Sequence, residues 1–192
     1  MITYQNEQRL RVFEKELKMI LNPKIKNFAE EAIKTFPDYF FEVGASSTSK
    51  YHPAYALGFG GLVRHTQAAV KIAVELFRIE SYDFTDDEKD LIIVSLICHD
   101  AWKHGTEYAK FTVDVHPLIA GTELSKNKEL RELLSEEQFA FVIGCIEHHM
   151  GAFVQSYKTK EEVLERPQNK FQEFVHLADY LASRKFLEVK FE

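Results

Sequence analysis

The sequence has few cysteines, so disulfide bonds contribute little to the stability of its fold. Cys98 and Cys145 are the two cysteines among 192 residues, and both lie inside apolar runs. Such a pair is typical of buried thiols in a reducing compartment and excludes a disulfide framework. No apolar run approaches the roughly 18 residues that span a bilayer, and the charged N-terminal segment MITYQNEQRLRVFEKELKM lacks the apolar centre of a signal peptide. The sequence therefore predicts a cytoplasmic protein with no membrane partner.

The chain also lacks an excess of basic residues. Its formal net charge is −6, whereas proteins that bind long nucleic acids usually present a basic face to the phosphates. A small anionic substrate stays compatible with this charge, because a bound divalent cation supplies local positive charge. Its length and its 45% hydrophobic content predict a single domain, residues 1–192, with one core. The sequence leaves the oligomeric state open, a homo-oligomer included.

Helical periodicity dominates the chain, and it predicts an all-α fold. Residues 1–36 read as an outer helical hairpin with a break at Asn22-Pro23, and the segment 37–61 is irregular. Capping sequences and apolar periodicity predict further helices over 62–78, 86–99, 117–124, 135–149 and 169–186. Strand signals are limited to KFTVDV and the C-terminal FLEVKF.

Histidine and aspartate side chains occur on these apolar helices, where they need polar partners or a cation. They are His65, His99, Asp100, His116, His148, His149 and Asp179. A mixed nitrogen and carboxylate set favours Mn, Fe, Co, Ni or Zn, and the absence of cysteine from these motifs argues against a structural zinc site. Such an ion would activate a water molecule and polarise a phosphoryl oxygen. Lys103, one turn past His99, and Arg64 are candidate phosphate contacts.

Four motifs in this order resemble those of the HD superfamily of metal-dependent phosphohydrolases. They are GGLVRHT, HDAWK, IEHHMG and HLAD, and the resemblance spans roughly residues 58–186. Among its branches, the sequence is most similar to the HD domain of bacterial 3′-to-5′ exoribonucleases and to small HD proteins of bacteria and phages.

The resemblance also implies roles for these residues. It implies a compact all-helical fold in which His65, His99, Asp100 and Asp179 hold a metal ion. Asp100 would also orient the attacking water, and Lys103 matches the HD-x-x-K lysine. The extra histidines His116, His148 and His149 extend the set toward a second ion.

Two departures from the family pattern bear on the substrate. Ala101-Trp102 replace the usual residues after the HD pair, so Trp102 is a candidate pocket-lining residue. A GYP signature and an accompanying nucleic-acid-binding module are absent, which disfavours cyclic dinucleotides and polymeric RNA. The preceding loop offers the hydroxyls of residues 46–49, the charge of Lys50 and the rings of Tyr51, His52 and Tyr55 as substrate contacts.

The predicted function is hydrolysis of a phosphate ester of a nucleotide or short oligonucleotide by a metal-activated water, as a monoesterase or a diesterase. One or two ions would bind. Two alternatives stay open: a non-enzymatic nucleotide-binding regulatory module on the same scaffold, and a purely structural helical protein whose histidines are satisfied in the core. A broken ligand set would favour the regulatory module, and a metal-free purified protein would favour the structural one.

Overall fold

The computed structural model describes residues 2–46 and 50–187, and nine α-helices form within those two ranges. They are α1 (Asn6–Val12), α2 (Glu14–Leu17), α3 (Pro23–Thr35), α4 (Gly61–Leu76), α5 (Asp86–Cys98), α6 (His116–Lys126), α7 (Lys128–Arg131), α8 (Glu136–Glu147) and α9 (Lys170–Ala182). Short 3-10 helices cover Asp38–Phe41 and Ala54–Ala56. In these ranges β-structure is limited to one isolated antiparallel bridge between Gln155 and Glu162. The all-α prediction is confirmed.

The helices begin where side chains can satisfy the first backbone amides. Thr85 accepts a hydrogen bond from the amide of Glu88 at the start of α5, and the Glu88 carboxylate accepts one from the amide of Thr85. Ser135 and Gln138 make the same reciprocal pair at the start of α8. Both pairs are capping boxes, which remove donors that a helix end otherwise leaves unbonded.

Helix α5 forms the centre of the fold. Residues 90–98 are buried on all sides of the helix, and α5 packs against α3, α4, α8 and α9. An apolar helix that is surrounded in this way has nowhere to expose a polar residue except at its ends. Its C-terminal end therefore delivers His99 and Asp100 into the interior of the helical assembly.

The neighbouring helices pair in a way that brings distant segments to that end of α5. Helix α4 packs against α9, and α6 packs against α8. One hydrophobic core extends from Phe13 to Ala182 and includes residues of the N-terminal segment. The helices thus surround the end of α5 with side chains from four other elements.

Two parts of the chain differ from their sequence patterns. The segment KFTVDV forms bends and turns rather than a strand, and its Val113 amide bonds to the carbonyl of Lys103. Helix α9 ends at Ala182 rather than Phe186, and most of FLEVKF lies outside the described residues, as do the hydroxyls predicted at residues 47–49. In the described parts of the chain, no helix is both long enough and apolar enough to cross a membrane.

Candidate metal centre

Four side chains from three helical segments meet at the C-terminal end of α5. His65 comes from α4, His99 and Asp100 follow α5, and Asp179 comes from α9, and one ligand atom of each lies within 4.8 Å of the others. The Nε2 atom of His65 lies 2.9 Å from Oδ1 of Asp179 and 3.5 Å from Oδ2 of Asp100. The Nε2 atom of His99 lies 3.4 Å from each of the same two oxygens. We call these four residues the first ligand group.

A second ligand group consists of Asp100, His116 and His149. The Nε2 atoms of the two histidines lie 3.2 Å apart. They lie 3.0 Å and 3.7 Å from Oδ1 of Asp100, which is the carboxylate oxygen that does not face the first group. Asp100 is therefore shared, with one oxygen turned to each group.

The backbone sets the orientation of three of the histidine rings in the same manner. The Nδ1 atoms of His99, His116 and His149 lie 2.6 Å, 2.8 Å and 2.7 Å from the carbonyl oxygens three residues earlier in the chain. A carbonyl accepts only from a protonated nitrogen, so Nδ1 carries a proton in each ring and Nε2 is the atom turned toward the carboxylates. Backbone partners of this kind fix the tautomer of metal-binding histidines.

Burial and the two carboxylates determine the charges in this centre. Burial disfavours the charged form of His99, but Asp100 and Asp179 outweigh burial and raise its pKa to about 10. Burial, reinforced by His99 and His116, lowers the pKa of His149 to about 3. For Asp100, burial opposes ionisation, yet Lys103 and His99 hold the pKa well below its usual range. The metal-free centre therefore contains two carboxylates with cations beside them.

The residues present fit a divalent transition-metal ion. The buried atoms Nε2 of His99 and Oδ1 of Asp100 have no hydrogen-bond partner, although both face the other donors. Buried polar atoms without partners are costly. A cation at the first ligand group would satisfy Nε2 of His99, and a cation at the second would satisfy Oδ1 of Asp100. The negative end of the α5 dipole points toward the same place and favours positive charge. The nitrogen and carboxylate donors are those that Mn, Fe, Co, Ni and Zn accept.

Access to the first ligand group differs from one ligand to the next. The side chains of His65, His99 and Asp100 are at most 1% exposed, whereas that of Asp179 is 17% exposed. The centre therefore opens toward solvent on the side of α9. Lys103 lies at its border, with Nζ 2.5 Å from Oδ2 of Asp100 and a side chain that is 12% exposed.

Three predicted site residues lie elsewhere than the sequence suggested. Arg64 donates hydrogen bonds to the carbonyls of residues 55, 57 and 59, so it anchors the loop before α4 rather than facing a phosphate. Trp102 is buried in the core with its ring edge-on to Phe36. His148 belongs to neither ligand group, because its Nε2 faces Glu165 at 3.4 Å.

The remaining predicted residues lie on the loop before α4. The ring of His52 lies edge-on to that of His65, with 5.2 Å between the ring centres. Burial and the nearby His65 lower the pKa of His52 to about 3. Lys50 and Tyr51 are exposed, and Nζ of Lys50 lies 5.0 Å from the centre of the Tyr51 ring. The loop therefore contacts the centre through His52.

Two histidines that sequence reasoning did not single out also adjoin the centre. His104 is buried beside Lys103, and its Nδ1 lies 2.7 Å from the carbonyl of Ala109, while Nε2 has no partner. His176 lies three residues before Asp179, and its Nδ1 lies 2.8 Å from the carbonyl of His149. The sequence feature that could have indicated them is their position, since His104 lies close to the His99-Asp100 pair and His176 close to Asp179.

Comparison with known proteins supplies a family but no relative. The model of the HD domain family matches residues 62–184, a range that contains every residue of both ligand groups. No curated protein and no solved structure matches the chain. Since the matched range covers well over half of the 192 residues, the chain belongs to the HD domain family.

Proposed function

We propose that this protein is a metal-dependent phosphohydrolase that cleaves a phosphate ester of a nucleotide or short oligonucleotide. HD domains are generally hydrolases that bind divalent metals, and both ligand groups described above lie within the range that the family model matches. The single observation that carries the proposal is the position of Asp100, whose two carboxylate oxygens each face a different set of histidines. This arrangement gives the centre capacity for one or two ions.

The side chains around Asp100 can perform the steps of ester hydrolysis. A divalent ion held by the two ligand groups would lower the pKa of a bound water and polarise a phosphoryl oxygen. Asp100 orients the attacking water by accepting a hydrogen bond from it, and Lys103 keeps that carboxylate ionised through the 2.5 Å contact. The same ammonium group can donate to a phosphate oxygen at the border of the centre. The partial exposure of Asp179 gives the ester a route in.

The loop before α4 supports a small substrate. His52 lies against His65, and the exposed Lys50 and Tyr51 precede it. A positive charge and an aromatic ring beside a phosphate site suit a nucleotide. The net charge of −6 disfavours a long polyanion.

Adjacent histidines allow a matched test of this proposal. His149 belongs to the second ligand group, whereas His148 faces Glu165 outside both groups. We expect His149→Ala to lose the metal bound at the second ligand group and at least a hundredfold in turnover, and His148→Ala to retain the wild-type metal content and turnover within about twofold. The measurements are elemental analysis of purified protein and a phosphate-release screen over nucleoside mono-, di- and triphosphates, cyclic nucleotides, dinucleotides and short RNA.

The screen also separates the alternatives. His99→Ala should abolish metal binding at the first ligand group, to which His99 belongs, and turnover should be lost with it. A His99→Ala variant that stays active without metal at that group would refute the proposal. Tight nucleotide binding by the metal-loaded protein with no hydrolysis of any compound would favour the regulatory module. Wild-type protein that binds none of the five metals would favour the structural role.

A further inference from the structure

Three aromatic rings and one guanidinium group form a continuous surface at the C-terminal end of α9, the helix that carries Asp179. The guanidinium of Arg184 lies 4.3 Å from the centre of the Tyr180 ring and 5.7 Å from that of Tyr51. The rings of Tyr180 and Phe153 are stacked, with centres 6.4 Å apart and an angle of 15° between their planes. We call Tyr51, Phe153, Tyr180 and Arg184 the aromatic ledge.

Each member of the ledge is joined to a segment that supplies ligands. Tyr180 and Arg184 are four residues apart, so they share one face of α9 and its end, next to the face that carries Asp179. Phe153 follows His149 by four residues. Tyr51 precedes His52, whose ring packs against His65. The ledge therefore lies on the side of α9, where the partly exposed Asp179 opens the centre to solvent.

The ledge is held in place by contacts of its own. The carbonyl of Tyr51 accepts a hydrogen bond from the amide of Lys185 at 2.9 Å, which ties the loop to the end of α9. The guanidinium of Arg184 donates to Oγ of Ser183 through two nitrogens, at 3.0 Å and 2.7 Å. A surface assembled in advance loses little conformational entropy when a ligand binds.

Exposure and charge indicate which ligand the ledge suits. Tyr51 and Phe153 are 52% and 51% exposed, so both side chains leave surface that a planar partner can cover. Lys50 and Arg184 place two positive charges around Tyr51, on a protein whose net charge is −6. Aromatic rings stack on the face of any nucleobase, and arginine adds a cation–π contact. A planar base that carries a negatively charged group matches both features.

We propose that the aromatic ledge binds the base of a nucleoside phosphate whose phosphoryl group lies at the metal centre. This inference rests on the proposed function and narrows it, because it makes the base, rather than the phosphate alone, a determinant of binding. Phe153 becomes a specificity residue that the sequence motifs do not include, together with Arg184.

The test compares two ligands that differ in the base alone. They are non-hydrolysable phosphonate analogues of adenosine 5′-monophosphate and of ribose 5-phosphate, titrated calorimetrically into the Mn-loaded protein. We expect wild type to bind the adenosine analogue roughly 5- to 150-fold more tightly, which is the contribution expected of one stacked base. Phe153→Ala should remove most of that difference, and Phe153→Leu, which keeps an apolar side chain, should do the same.

The control is Leu21→Ala, an exposed apolar residue near Asp90 at the opposite end of α5. It should leave the adenosine preference unchanged. Equal affinity of wild type for the two analogues, or a preference that survives both Phe153 substitutions, would overturn the ledge. If the adenosine preference depends on Phe153 but the protein releases no phosphate from any compound, base binding by the ledge is supported and the hydrolase function is refuted. If phosphate is released equally well from ribose 5-phosphate and from adenosine monophosphate, and the Phe153 variants release it at the wild-type rate, the hydrolase is supported and base binding by the ledge is refuted.

Discussion

Replacing Asp100 with asparagine should abolish metal binding at both ligand groups, whereas removing a ligand of one group should abolish it at that group alone. Oδ2 of Asp100 lies 3.4 Å from Nε2 of His99, and Oδ1 lies 3.0 Å from Nε2 of His116. Asparagine keeps the shape of the side chain but loses its negative charge and replaces one oxygen with a donor. We therefore expect Asp179→Asn to abolish binding at the first group, His116→Ala at the second, and Asp100→Asn at both.

The structure also gives the cost of Asp100→Asn in the metal-free protein. Asp100 is 1% exposed and its carboxylate is the 2.5 Å partner of Lys103, which is 12% exposed. Removing one partner of a buried ion pair costs about 3–5 kcal/mol because the other charge is left without compensation. For a protein of this size, about 1 kcal/mol lowers Tm by about 2–4 °C, so we expect a loss of roughly 6–20 °C.

The assay combines elemental analysis after dialysis against each metal with calorimetric melting of the metal-free proteins. Asp90→Asn is the matched control, because Asp90 is a buried carboxylate at the other end of α5 that accepts hydrogen bonds from the amides of Leu21 and Asn22. It should leave the metal content unchanged. If Asp100→Asn retained its full metal content, or if His116→Ala lost as much metal as Asp100→Asn, the shared-carboxylate reasoning would be wrong.

Three further predictions concern the elements that support the centre. In Gly61→Ala the new Cβ would collide with the backbone carbonyl of Ala56. We expect the free energy of unfolding measured in urea to fall by about 1–3 kcal/mol, and an unchanged urea midpoint would contradict this. Arg64→Ala removes the hydrogen bonds to the carbonyls of residues 55, 57 and 59, so amide exchange should accelerate across 54–60 while metal content stays constant. Thr85→Ala removes the cap of α5 and should cost about 1 kcal/mol in thermal unfolding, with turnover of the folded protein unaffected.

The helices were largely predictable because their signals are local. The Thr85 and Ser135 capping boxes begin α5 and α8 where the sequence places them. The uniformly apolar run before His99 predicts a central helix, since such a helix has no face to turn to solvent. The KFTVDV segment was misleading because its alternating pattern meets no partner strand among residues 2–46 and 50–187, and the hydrogen bond from the Val113 amide to the Lys103 carbonyl joins it to the turns after α5 instead.

The roles of single side chains were less accessible to sequence reasoning. His148 and His149 are adjacent histidines that the sequence does not distinguish. The turn that ends α8 directs His148 toward Glu165 and His149 toward Asp100. Arg64 is predicted from the sequence to contact phosphate because it precedes His65. In the structure it instead donates hydrogen bonds to loop carbonyls. Adjacent residues on a helix or turn face different directions, so which of them reaches a site depends on the packing of the whole element.

The sequence by itself determined the all-α class, the central position of α5 and the donor types that a metal would meet, because periodicity, capping and residue chemistry are properties of short segments. Only the tertiary structure decided that Asp100 serves two ligand groups, that Asp179 marks the open side, and that Phe153, Tyr180 and Arg184 lie together there. Those arrangements join residues that are up to 114 positions apart in the chain. They depend on how α4 packs on α9 and α6 on α8, which no local pattern specifies.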